Sequence, residues 1–118
     1  MAPTVARTLI DWHTHVWLPE HFTKAHLAEL ADRTGTPDAT PALHRRAMET
    51  VDRYVIVGIQ WGPLGQNIPN EFIAEQVAES NGRAVGFASV HPHATGAARE
   101  FRRAVRELGL REIGRAHV

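Results

Sequence analysis

Apolar and polar positions along the chain follow two rhythms. Residues 8–17 are β-branched and aromatic, with Pro19 closing the run, which predicts a strand. From about residue 20 to residue 32, Phe22, Leu27, Leu30 and Ala31 recur at helical spacing. Residues 33–38 read as a loop by composition. Thr40-Pro41 is a helix start, a capping hydroxyl followed by proline in the first turn, and that helix carries Leu43, Ala47 and Met48 to about Val51. Residues 53–60 form a continuous apolar run of strand length, the pattern of a parallel strand buried on both faces. Two Gly and two Pro within residues 61–69 mark a loop. Asn70-Glu71 opens a helix bearing Phe72, Ile73, Ala74, Val77 and Ala78, and Asn81-Gly82 stops it. Residues 84–90 predict a third strand, and Thr95 and Gly109 bracket a last helix.

That last helix sets Ala97, Ala98, Phe101, Ala104, Val105 and Leu108 on one side and Arg99, Arg102, Arg103 and Arg106 on the other. A solvated outer face is its reading. Strands alternating with helices predict right-handed βαβ units, a parallel sheet and an α/β fold.

Composition narrows the function classes. Thirteen basic residues balance thirteen acidic ones, so no basic excess points to nucleic acid. With no cysteine, a disulfide scaffold, a thiolate metal site and a Cys nucleophile are all excluded. No apolar run is long enough for a membrane span. The start lacks the apolar stretch of a signal peptide, so a cytoplasmic location is expected.

Eight histidines in 118 residues is many. On the first strand Asp11, His13 and His15 alternate, and period two places them on one face. Two histidines so spaced have Cα atoms roughly 6.6 Å apart, within reach of one ion at about 2.0–2.1 Å from each ring. Asp11 is then an acceptor that orients a ligand histidine, or a ligand itself. A bare His-x-His arises readily by chance at this histidine content, and His91-Pro92-His93 is a second one. The position at a strand end favours the first, because parallel α/β folds collect chemistry there. A hydrogen-bonded pair in a packed strand end is the alternative.

Ile10-Asp11-Trp12-His13-Thr14-His15-Val16-Trp17-Leu18-Pro19 resembles the opening of the amidohydrolase superfamily. It is most similar to the amidohydrolase-related branch that includes aminocarboxymuconate-semialdehyde decarboxylase. Residues 51–58 and 86–93, with the helix to Leu110, resemble that branch's second and third strands, so the likeness covers about residues 8–111.

The resemblance implies the first three βα units of a metal-dependent-hydrolase-type (β/α)8 TIM barrel, with His13 and His15 as ligands of a divalent ion, commonly zinc. It implies hydrolysis of amide or ester-like bonds, or decarboxylation of a small organic acid, and family members often form homodimers. A complete barrel takes about 250 residues, so a truncated barrel is expected. The family's further ligands, a His from a middle strand and an Asp from the last, have no counterpart, and the general acid or base is expected in the missing C-terminal part. Residues 1–112 are expected to be the partial barrel domain. The hexapeptide of residues 113–118 equals one frame of a common sequencing adapter and is expected to be a non-native read-through tail.

Trp17, Trp61 and His91 are candidates for a substrate pocket, with core or loop packing as the alternative for each. His21, His26 and His44 lack partners at ligand spacing and are expected on the surface. A non-catalytic α/β protein that binds metal or a partner is a second functional reading. A metal-dependent phosphoesterase or deoxyribonuclease barrel, which also opens with His-x-His, is a third.

Overall fold

The computed structural model describes residues 6–34, 39–62 and 65–115. The loop expected at residues 33–38 falls mostly outside them, as do residues 116–118, His117 among them.

Four parallel strands form the main sheet in the order β1-β2-β5-β6: β1 (Ile10–Thr14), β2 (Arg53–Val57), β5 (Ala84–Ser89) and β6 (Ile113–Arg115). Helices α1 (Lys24–Thr34) and α2 (Pro41–Ala47) join β1 to β2. Helix α3 (Asn70–Ala78) leads into β5, and α4 (Ala97–Arg106) leads into β6. Ile113 and Arg115, set apart by their sequence with 116–118 as a tail, thus pair with Ala88 and Ser89, across a shift of register.

Each new strand is added beside the one before it. One core fills the helix side of this singly wound sheet. Tyr54 and Ile56 of β2 and Ala84 and Ala88 of β5 pack with Ile73, Ala104 and Leu110. The alternate residues belong to the other side, where Ile10, Trp12, Val55 and Val85, with Arg53 and Arg83 beside them, line a shallow, mostly apolar concavity of about 240 Å³. Trp12 is 71% exposed there. The expected burial on both faces holds for Tyr54 to Val57 in the middle of the sheet, while Val85 on the neighbouring strand is 40% exposed.

Several local expectations shift. Residues 19–21 form a separate one-turn 3-10 helix, and α1 begins only at Lys24. There the Thr23 hydroxyl accepts the His26 N–H at 3.2 Å, a cap hidden behind Pro19. Helix α2 stops at Ala47, short of Val51. Asn70 does not cap α3, because Pro69 holds that position and the Asn70 side chain is turned into the core. Gly96, in the left-handed conformation, replaces Thr95 as the N-cap of α4. Inside the Gly/Pro loop, β3 (Gln60–Trp61) and β4 (Gln66–Asn67) pair antiparallel. Asn81 and Gly82 take positive φ, as their positions after α3 predict.

Candidate metal centre

The first strand carries a bulge. Asp11 pairs with Tyr54 and Thr14 with Ile56, so three steps along β1 match two along β2. The simple alternation of Asp11, His13 and His15 does not survive it. Asp11 stands in register with Tyr54, a residue of the helix-side core, and Thr14 stands in register with Ile56 of that core. His13 and His15 flank Thr14 and so share the opposite side. Asp11 turns back on its own strand, its Oδ1 accepting the His13 N–H at 3.1 Å.

The bulge brings the two imidazoles edge to face, ring centres 4.8 Å apart and Nε2 atoms 3.0 Å apart. His15 Nδ1 lies 2.9 Å from the Val57 carbonyl oxygen. A carbonyl only accepts, so Nδ1 carries the proton and Nε2 presents a lone pair. That is the tautomer a metal-ligating histidine takes when a backbone carbonyl holds its other nitrogen. The short approach of the two Nε2 atoms requires either a proton on His13 Nε2 or a cation between two lone pairs. Two ring nitrogens on one ion at about 2.0–2.1 Å stand about 2.8–3.4 Å apart for angles between square and tetrahedral, and 3.0 Å falls inside that range. The pair therefore fits two positions of a divalent ion. Among the described residues no group of three or more His, Asp or Glu converges on one point, so the pair is a partial set.

Behind the pair lies a histidine that ligand spacing in the sequence does not mark. His44 of α2 is buried, not on the surface. Its Nε2 lies 3.0 Å from Thr14 Oγ1, and its ring stands edge-on to Tyr54 at 5.4 Å. Burial lowers its pKa, the Asp11 carboxylate opposes that shift, and Arg45 and His15 add to it. The signal was present in the helical stripe: His44 precedes the buried Met48 by four residues. His21 and His26 are likewise half-buried rather than free on the surface. His21 Nδ1 accepts the Leu18 N–H at 3.0 Å, its ring packs on Phe72, and burial lowers its pKa against the pull of Glu20. His26 Nε2 meets Gln66 Nε2 at 2.7 Å.

The other candidates occupy separate surroundings. Trp17 is half-buried and stacks edge-on against Phe22 at 5.3 Å, at the margin of the core. Trp61 is half-buried on β3. His91 follows β5, accepts the His93 N–H through Nδ1 at 3.1 Å, and lines a cavity of about 200 Å³ with Gln60, Gly96 and Glu100.

The family model described as Amidohydrolase matches residues 10–115, nearly the whole chain. The chain belongs to the amidohydrolase family. No curated protein matches it. Membership gives the histidine pair a chemical context, since amidohydrolases generally use divalent metals, and the enzymes of the family are of hydrolase type. No helix among the described residues is long and apolar enough to cross a membrane.

Proposed function

We propose that this amidohydrolase chain is the opening wall of a metal-dependent (β/α)8 barrel, and that His13 and His15 hold its divalent ion, zinc by preference for nitrogen donors. The carrying observation is the 3.0 Å approach of the two Nε2 atoms with His15 Nδ1 tied to the Val57 carbonyl. The singly wound sheet supports the barrel reading. Its helix side is packed, and its other side carries exposed apolar residues that a closed barrel would cover.

A divalent ion so held supplies Lewis acidity towards a carbonyl or carboxylate and lowers the pKa of a bound water. The chain's own part is to present two lone pairs at fixed separation. Asp11, through the His13 backbone, serves as an outer support for one of them. A small organic acid is the substrate class, hydrolysed or decarboxylated, with the decarboxylase-like branch as the nearer fit. Trp17, Trp61 and His91 are the proposed pocket residues. The cytoplasm is the proposed location and a homodimer the proposed assembly of the whole enzyme. The remaining ligands and the general acid or base belong to barrel strands beyond this chain, so turnover by the 118 residues alone is not expected.

Titration of the chain with zinc, or with cobalt followed by its visible absorption, tests the site. One equivalent bound by the wild type and lost in both His13→Ala and His15→Ala is the expected result. Uptake that survives both substitutions, or no uptake at all, overturns the metal reading.

A further inference from the structure

Thr14 and His15 both grip β2 through their side chains. Thr14 Oγ1 lies 2.7 Å from the Val55 carbonyl and His15 Nδ1 lies 2.9 Å from the Val57 carbonyl. These two bonds follow directly on the bulge, where the ladder between β1 and β2 shifts register. Side chains thus fix the strand end at the point where regular pairing has slipped.

The hydrogen-bond roles at Thr14 can be assigned. A hydroxyl has one proton and a carbonyl cannot donate, so Thr14 gives its proton to Val55. His44 Nε2, 3.0 Å from the same oxygen, must therefore be the donor into its lone pair. The chain runs one way, from His44 Nε2–H to Thr14 Oγ1–H to Val55 C=O. His44 is itself held by the Tyr54 ring and by burial to 7% exposure.

We propose that His44, acting through the Thr14 hydroxyl, is a positioning residue for the histidine pair: it locks the strand end after the bulge so that His15 keeps its Nδ1–H on Val57 and turns Nε2 towards His13. The inference rests on the metal-site reading above. Support of this kind behind metal ligands typically carries about 10–100-fold in metal affinity.

The test uses the whole 118-residue chain and two readouts. One is zinc affinity, by competition with a chromophoric chelator. The other is the His15 tautomer, from nitrogen–proton correlation spectra of the imidazoles recorded without metal. Thermal unfolding is followed alongside, to separate lost fold from lost positioning. His44→Leu and Thr14→Val are expected to weaken zinc binding about tenfold or more and to turn the single Nδ1–H form of His15 into a mixture. His44→Gln, which returns an amide donor, and Thr14→Ser, which returns the hydroxyl, are expected to recover most of both. Should His44→Leu fail to fold, Thr14→Val against Thr14→Ser decides the matter.

Unchanged affinity and an unchanged tautomer in a folded Thr14→Val variant overturn the proposal. If His13→Ala and His15→Ala abolish uptake in that case, the metal site itself stands. Failure of the wild type to take up zinc overturns the metal reading instead, and the tautomer spectra then decide alone whether His44 orders His15.

Discussion

Asn70 and Ser89 hold each other by two hydrogen bonds. Asn70 Oδ1 accepts the Ser89 N–H at 3.0 Å, and Asn70 Nδ2 donates to the Ser89 carbonyl at 3.1 Å. Both residues are almost wholly buried, and Nδ2 also reaches Glu100 Oε1 at 3.0 Å. One amide therefore joins the start of α3, the end of β5 and the first turn of α4. Asn70→Leu removes all three bonds inside the core. A loss of about 2–4 kcal/mol is expected from urea unfolding, because buried polar groups lose their partner at once. Glu100→Gln, which keeps an acceptor at a half-exposed position, is expected to cost far less. Equal losses in the two variants count against this account.

Gly86 answers to space rather than to backbone angle. A Cβ at this position of β5 would stand 2.6 Å from Leu110 Cδ2 and 2.9 Å from Val77 Cγ2. Leu110 is itself buried, so its methyl has little room to withdraw. Gly86→Ala is expected to destabilise the chain by about 1–3 kcal/mol through overpacking. Gly82→Ala serves as the contrast, since no atom lies within 4 Å of its added carbon while its φ of 78° stays unfavourable. Calorimetry on the two variants separates crowding from backbone strain. If trimming Leu110 to Ala in the Gly86→Ala background recovers nothing, crowding is the wrong cause.

The strand at Arg53–Val57 was legible because a β-branched run of strand length buries on a helix-packed sheet, and the one at Ala84–Ser89 because an apolar segment follows the Asn81-Gly82 stop. The histidine pair was legible for a related reason: it falls where an apolar strand runs out. What stayed hidden was set by contacts between elements. The bulge between Asp11 and Thr14 breaks period two without leaving a glycine or proline to announce it. His44 has no partner at ligand spacing, and its place is decided by the stripe it shares with Met48 and by Thr14, thirty residues away. Asn70 carries a capping side chain, yet its partners lie nineteen and thirty residues on, so tertiary bonds outbid the local cap. The paired strands at Gln60–Trp61 and Gln66–Asn67 have two residues each, too few to show a period.

The uncovered side of the sheet has its own consequence. Ile10 is 43%, Trp12 71% and Val85 40% exposed, and all three border one concavity. Contiguous apolar surface of this kind drives association in water. The isolated chain is expected to self-associate with rising concentration in sedimentation velocity. Trp12→Lys with Val85→Lys is expected to suppress that association and leave the far-ultraviolet circular dichroism unchanged. A wild type that stays monomeric across the accessible concentrations contradicts the prediction.

His21 and His44 contribute to stability with the same sign of pH dependence. Burial lowers the pKa of each below the ordinary 6.5, the first against Glu20 and the second against Asp11. A histidine with a depressed pKa binds fewer protons folded than unfolded, so stability rises with pH across its titration. The contribution is whole above 6.5 and drains away as pH falls from there through the lower folded value. At His21 the chemistry is plain, because a proton on Nδ1 abolishes the acceptor that Leu18 N–H uses. Glu100, held low by its bond to Arg103, titrates beneath this window and does not confuse it. The urea midpoint of the wild type is therefore expected to fall between about pH 7.5 and about pH 5.5. His21→Gln and His44→Gln are each expected to remove part of that fall, and the double variant more than either, since the two side chains share no described bond and act independently. If both single variants keep the full wild-type slope, the pH dependence belongs to other groups and burial of these two rings is not its source.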